Sequence, residues 1–358
     1  MATRHLLNLV GDRLRTLPIL VLYLTDGCNS RCVTCDIWRS PRRNMRMELI
    51  DALVEDAAAL HTRWVVLSGG EATQHPDWAT AARKFRQIGA RVILLTNGLL
   101  VSRQIEQVIA DTDELVISLD GGTAETYQAI RGLDGFERVL SGIAAAHQAG
   151  KPVTTRTTLQ QANFREIPQI IQAAKDAGVD RISFLTVDVF NPIAFGPRFS
   201  SDPTLAPMVM GNGMAPPEHH PPATALTLDE CDELDDVLTR IERDFAADFA
   251  QGRIAESPAK LRQMARYFRA ILKTQSMPPV RCNAPHTSAV VEVDGQVRPC
   301  YFLPTMGQVD ATGHTRLVDS LNTEAAVQLR REYRSGQRQE CDSCVCPLYK
   351  GARALINL

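Results

Sequence analysis

The chain has 358 residues, 44% hydrophobic and 22% charged, the composition of a globular protein long enough for one large α/β domain and a smaller appendage. Its 39 Lys and Arg nearly balance 41 Asp and Glu, so no bulk charge draws it to nucleic acid or to an anionic membrane, and a neutral or small-molecule partner is expected. No run of about 18 apolar residues occurs, and the opening MATRHLLNLVGDRLRTLP has neither the apolar stretch nor the cleavage site of a secretory signal, so the expected location is cytoplasmic.

From residue 18 to 186, short apolar runs rich in β-branched residues alternate with stretches of helical period. Strands are predicted at Ile19–Thr25, Trp64–Ser68, Val92–Thr96, Leu115–Leu119, Val153–Thr158 and Arg181–Thr186. Helices are predicted at Glu48–Leu60, Pro76–Ile88, Ser102–Ala110, Gly135–Ala149 and Arg165–Ala177. Each crossover must bury its apolar stripe on the strands, which favours a parallel sheet with helices outside. Six such units make a partial (β/α)6 TIM-like barrel, whose chemistry belongs at the C-terminal ends of the strands.

Residues 191–227 lose this period in a stretch rich in Pro, Met and Gly, read as a loop or lid. His219 and His220 within it have no spaced partner and read as solvated rather than metal-binding. Amphipathic helices are predicted at Leu228–Ala250 and Pro258–Lys273, with Cys231 on the first read as a small buried hydrophobe. In AVVEVDGQVRPCYF two β-type runs flank Asp294 and Gly295, a hairpin signal, and a helix at Glu324–Arg334 leads into ECDSCVCP. The expected organisation is a barrel core over 1–190, a loop insertion with linking helices over 191–280, and a small hairpin and helix domain over 281–358.

Of nine cysteines, three lie between Cys28 and Cys35 and five follow residue 280. Clusters of this kind in a reducing compartment are metal or catalytic sites rather than disulfides. Cys28, Cys32 and Cys35 form CxxxCxxC directly after the first strand. Structural zinc wants four ligands and this loop supplies three, whereas a cubane iron-sulfur cluster on three cysteines keeps one iron open.

The loop resembles the signature of the radical SAM superfamily, in which the open iron chelates the amino and carboxylate groups of S-adenosylmethionine. LSGGEAT after the second strand, LLTNG at the third, VISLDGG followed by YQAIRG at the fourth, and ISFLTV at the sixth are similar to family segments in the same order. The resemblance covers residues 18 to 190 and implies a [4Fe-4S] cluster on Cys28, Cys32 and Cys35. It implies that Gly69, Gly70 and Glu71 meet the methionine ammonium, the glycines by letting main chain approach the ligand. Asn97 and Asp120 would line the cavity, Ser118 and Arg131 would contact the ribose or carboxylate, and main chain around Leu185 would face the adenine. Two positions depart from the pattern: Thr34 stands where an aromatic residue is usual, with Ile37 or Trp38 available to replace its packing, and Ala72 stands where proline is common.

In the tail, Cys282 and Cys300 bracket the hairpin, and Cys341 and Cys344 form a CxxC with Cys346 two residues on. By spacing alone, zinc and an iron-sulfur cluster are equal readings. The arrangement is similar to the twitch domain, a shortened SPASM domain of radical SAM enzymes, and this implies one auxiliary [4Fe-4S] cluster, with Cys346 a spare or an alternative ligand. The implied activity is reductive cleavage of S-adenosylmethionine to a 5′-deoxyadenosyl radical that takes a hydrogen from a substrate, with electrons from a flavodoxin or ferredoxin type donor. About 18 residues precede the first strand, too few for a fused peptide-recognition domain, which favours a small natural-product intermediate or a peptide delivered by a separate partner. A non-catalytic iron-sulfur or zinc protein is the competing class; it leaves Gly69 to Glu71, Asn97 and Ser118 to Asp120 at successive strand ends as coincidence.

Overall fold

The structure, a computed structural model, describes residues 4–189, 224–346 and 351; the stretch containing His219 and His220 lies outside them. Six strands, β1 (Ile19–Thr25), β2 (Trp64–Gly69), β3 (Arg91–Thr96), β4 (Glu114–Ser118), β5 (Val153–Leu159) and β6 (Arg181–Thr186), pair in parallel with their neighbours in chain order. The period-2 geometry of a strand divides their side chains between two faces. Leu20, Leu22, Leu67, Leu94, Ile117 and Phe184 point outward into the main core, where they meet the helices. On the concave face stand Val21, Val66, Leu95, Ser118, Arg156 and Leu185, one from each strand in turn. The sheet is an open, partial barrel.

The outer helices are α1 (Met47–Ala59), α2 (Trp78–Gln87), α3 (Ile105–Asp111), α4 (Ala124–Arg131), α5 (Phe136–Gln148) and α6 (Ile167–Asp176). α4 is not among the predicted helices: eight residues are too few to display a period. Its signals are in its caps, Thr123 accepting from the Thr126 N–H and Gly132 at φ 71 in the left-handed region. The predicted helix from Leu228 breaks at Phe245 into α7 (Leu228–Asp244) and α8 (Ala246–Ala250), followed by α9 (Pro258–Ile271). Cys231 is fully buried in the core. No helix of the described residues is long and apolar enough to cross a membrane.

The predicted hairpin forms from β7 (Ser288–Val291) and β8 (Gln296–Arg298), turning at Gly295 with φ 87, and a short β9 (Gly307–Gln308) extends it. It does not make a sheet of its own. β7 pairs in parallel with β1, Ile19 opposite Ser288 through Leu22 opposite Val291, so one nine-stranded sheet runs β6-β5-β4-β3-β2-β1-β7-β8-β9. The reason is apolar demand on both faces: Val290 joins Ile19, Val21 and Tyr23 on the concave side, and Ala289 and Val291 enter the outer core.

α10 (Glu324–Arg334) anchors this region through Arg330, which is fully buried and donates to the carbonyls of Pro285, Asp12, Ala326 and Leu321. His286 is buried beside it, its Nε2 accepting from Arg334 Nε at 3.2 Å. Burial, with the charges of Arg334 and Arg330, pulls its pKa down to about 4. The unfolded chain therefore binds the proton first as pH falls, and stability is lost between about pH 6.5 and 4, by about 3 kcal/mol. Urea midpoints at pH 7 and pH 4.5 are expected to fall more for the wild-type protein than for His286→Gln, which has no imidazole to charge.

Candidate active site

Two pieces of backbone hold the cysteine loop. On one side, Gly70 N donates to Thr25 O at 2.7 Å and Glu71 N to Gly27 O at 2.8 Å. A Cβ at Gly69 would lie 2.4 Å from Thr25 O and one at Gly70 would lie 2.3 Å from Gly27 O, so protein backbone alone already demands both glycines. On the other side, the last carbonyls of α4, which no helical N–H reaches, accept from the loop: Arg31 N to Arg131 O at 2.9 Å and Val33 N to Ile130 O at 3.0 Å. The helix missing from the sequence reading is thus the seat of the loop.

The sulfurs face a cavity of about 290 Å³ at the C-terminal ends of the strands. Cys28, Cys32, Cys35, Gly69, Gly70, Asn97, Ser118, Asp120, Arg131 and Leu185 line it, together with Thr34, Ile37 and Trp38. Each sulfur has a donor: Ser30 N to Cys28 at 3.4 Å, Arg131 Nη1 to Cys32 at 3.5 Å, and the Ile37 N–H to Cys35. Burial pushes the Cys28 thiol up to about 12 and Cys35 to about 11, with the neighbouring sulfurs adding to the effect. Cys28 and Cys35 therefore ionise readily only against a cationic centre.

Glu71 is fully buried and its carboxylate turns away from the cavity: Oε1 accepts from Thr73 N (3.2 Å), Thr73 Oγ1 (2.5 Å) and Thr96 Oγ1 (2.7 Å), and Oε2 from Asn97 N (2.7 Å). It ties the β2 loop to the end of β3. Asn97 in turn donates from Nδ2 to Asn29 Oδ1 at 2.7 Å and Ser30 Oγ at 3.1 Å, beside Cys28. Glu71→Gln replaces one accepting oxygen by a donor facing donors, and is expected to cost about 1–3 kcal/mol. The check is a lowered thermal midpoint together with reduced iron retention at the loop. Arg131 pairs with Asp120 at 2.6 Å; burial opposes its charge, but Asp120 and Cys32 hold it in the charged form. Asp120 is itself placed by the Thr158 N–H at 2.7 Å.

A second cavity of about 540 Å³ runs deeper along the concave face and is lined by Cys282, Cys300, Cys341, Cys344 and Cys346. Main-chain N–H groups again meet the sulfurs: Ala284 N to Cys282 at 3.3 Å, Phe302 and Leu303 to Cys300, and Cys346 to Cys344. Burial pushes Cys300 and Cys341 up to about 12. Leu95, Arg156, Tyr301, Phe302 and Cys346 line both cavities, so the two meet across them. Among the described residues, no group of three or more His, Cys, Asp or Glu side chains is spaced for a single metal ion.

The profile described as "Radical SAM superfamily" matches residues 22–174, and that described as "Iron-sulfur cluster-binding domain", SPASM, matches residues 282–345. Residues 22–174 form a radical SAM domain and residues 282–345 a SPASM domain. Among curated relatives, an AdoMet-dependent heme synthase of Methanosarcina barkeri is 34% identical over 168 residues, 45% of this chain and 48% of the relative. A probable GTP 3′,8-cyclase of Saccharolobus islandicus is 30% identical over 187 residues, 51% of this chain and 60% of the relative. The chain thus spans about half the length of the curated relatives it matches. Among solved structures, Streptococcus suis SuiB bound to S-adenosylmethionine superposes with TM-score 0.64 at 14% identity, over 96% of this chain and 76% of that one. anSMEcpe with bound AdoMet and the Kp18Cys peptide superposes with TM-score 0.62 at 16% identity, over 94% and 92%. Both share the fold.

A radical SAM domain implies a [4Fe-4S] cluster and S-adenosylmethionine, and a SPASM domain implies further iron-sulfur clusters. The donor sets fit: both are thiols, half-buried, close enough to raise one another's pKa, and met by N–H donors of the kind that stabilise cluster sulfurs. Arg156, Thr158, Tyr301 and Phe302 are cavity residues that no motif announced. The signal for the strand residues was available in β5, whose concave row reads Thr154, Arg156, Thr158, unusually polar for a barrel interior.

Proposed function

We propose that this protein is an enzyme that cleaves S-adenosylmethionine reductively and modifies an organic substrate by hydrogen abstraction. The observation that carries the reading is the convergence on one cavity of the three-cysteine loop with Asn97, Ser118 and the Arg131–Asp120 pair, drawn from successive strand ends. When bound, the reduced cluster and S-adenosylmethionine supply the one-electron cleavage and the 5′-deoxyadenosyl radical. Cys28, Cys32 and Cys35 would hold the cluster and leave one iron without a protein ligand. Gly69 and Gly70 would present main chain to the cofactor, Ser118 and Arg131 would bind its ribose or carboxylate, Asn97 and Asp120 would shape the wall, and main chain at Leu185 would meet the adenine. Glu71 acts behind Asn97 as a positioning residue. Apolar groups of Leu95, Leu185, Tyr301 and Phe302 keep water from the reacting atoms.

In the SPASM region, Cys282, Cys300, Cys341 and Cys344 are the four ligands of one auxiliary [4Fe-4S] cluster, fully thiolate-bound and so suited to electron transfer. Electrons enter from a flavodoxin or ferredoxin type donor, and the cytoplasm is the compartment that supplies both. The substrate is a small metabolite. A peptide is the second reading, favoured by the fold shared with SuiB and anSMEcpe, both of which have been solved with peptides. Anaerobic incubation of the iron-reconstituted protein with S-adenosylmethionine and dithionite tests the core claim by formation of 5′-deoxyadenosine. Iron-replete protein that forms none, or oxygen-free purification that delivers zinc and no iron, ends it.

A further inference from the structure

Two arginines line the cavity at the cysteine loop. Arg131 is neutralised by Asp120. Arg156 is not: its Nε is buried without a hydrogen-bond partner, and its guanidinium forms no ion pair with a described residue. Its Cα neighbours across the sheet are Ser118 on β4 and Ser183 on β6, neither of them an acid. Five acids line the two cavities; Asp188 and Glu114 form no ion pair with Arg156, and the other three are committed elsewhere. Asp120 holds Arg131; Glu256 accepts from Ser183 Oγ at 3.0 Å and Phe184 N at 2.8 Å and lies 3.8 Å from Lys260; Glu340 holds Arg338.

Arg156 stands midway along β5, in the row Thr154, Arg156, Thr158, where the first cavity opens into the second. The walls around it are Leu95, Leu185, Tyr301, Phe302 and Val345. Arg156 is half-buried, with its Nε shielded from water and its walls largely apolar, so an anion entering the cavity would find a cation there with no protein counter-charge. The guanidinium fork matches a carboxylate or phosphate in two parallel hydrogen bonds.

We propose that Arg156 is the anchor for an anionic group, a carboxylate or a phosphate, on the substrate. This rests on the proposed function and narrows it to a substrate that carries its negative charge on the side of the cavity facing the C-terminal cysteines, with its reacting carbon toward the cysteine loop. Thr158 and Ser118 flank the anchor with hydroxyls. The rival role for Arg156 is as counter-charge to a thiolate-bound cluster, since Cys346 lines the same junction.

The test titrates succinate and inorganic phosphate, separately, into oxygen-free reconstituted protein holding S-adenosylmethionine, with heat as the readout. At least one of the two is expected to bind the wild-type protein, and whichever binds identifies the class of anion. Arg156→Gln is expected to weaken that binding at least about tenfold, and Arg156→Lys, which keeps the charge but not the fork, to weaken it less than Arg156→Gln does. The proposal is overturned if neither anion binds the wild-type protein, or if Arg156→Gln binds them equally well. A shifted auxiliary-cluster potential in Arg156→Gln with unchanged anion affinity assigns the residue to the cluster instead. Formation of 5′-deoxyadenosine by the wild-type protein reports separately on the parent reading, since the titration needs no turnover.

Discussion

Cys32→Ser is expected to lose about half of its iron and to form no detectable 5′-deoxyadenosine, a fall of at least about a thousandfold, while its fold survives. The sulfur of Cys32 is where the loop meets Arg131, and Arg131 keeps Asp120 as its partner when the sulfur is gone, so no buried charge is stranded. The loop backbone is held independently of its side chains by Thr25, Gly27, Ile130 and Arg131. Iron analysis and far-ultraviolet circular dichroism of the same preparation separate loss of the cluster from loss of the fold. Full iron content with undiminished 5′-deoxyadenosine would remove Cys32 from the ligand set.

Gly70→Ala is expected to do comparable damage without touching a sulfur. Its added Cβ would lie 2.3 Å from Gly27 O, 2.7 Å from Gly27 C and 2.9 Å from Asp26 O, all main-chain atoms one residue or two before Cys28. No flexible side chain is there to give way, so the cysteine loop itself must move. A cost of about 2–4 kcal/mol is expected, with 5′-deoxyadenosine formation down at least about a hundredfold because catalytic geometry tolerates little displacement. Gly11→Ala, whose Cβ meets nothing within 4 Å, is the matched control and is expected to change neither quantity. Iron retention and 5′-deoxyadenosine yield, measured on both variants, decide the matter; a fully active Gly70→Ala protein would show that the loop yields more freely than its backbone contacts allow.

Much of this architecture was legible in the chain because the barrel strands carry strong local signals. Ile19–Thr25 and Arg181–Thr186 form over the predicted residues, and the Asp294-Gly295 turn forms the predicted hairpin. What escaped was information that local pattern does not hold. α4 is too short for its period to show, and the pairing of β7 with β1 joins residues some 270 apart, on apolar needs visible only once the sheet exists. At the site, the family resemblance pointed to the cavity residues Asn97, Ser118 and Arg131, but could not tell that the Glu71 carboxylate turns inward to Thr73, Thr96 and Asn97. Arg156 lay unremarked although the polar row Thr154, Arg156, Thr158 marked its strand, because that row gains meaning only once it is seen to face the two cavities.

The parallel seam between β1 and β7 has a practical corollary for anyone trimming the polypeptide. Cutting before Ser288 to obtain an isolated N-terminal catalytic half would strip the neighbour from Ile19–Leu22 and lay bare a row of unsatisfied amides beside apolar Ile19, Val21 and Tyr23. Such a fragment is a template for self-association through edge-on strand capture, and its insolubility would say nothing about the chemistry of the intact protein.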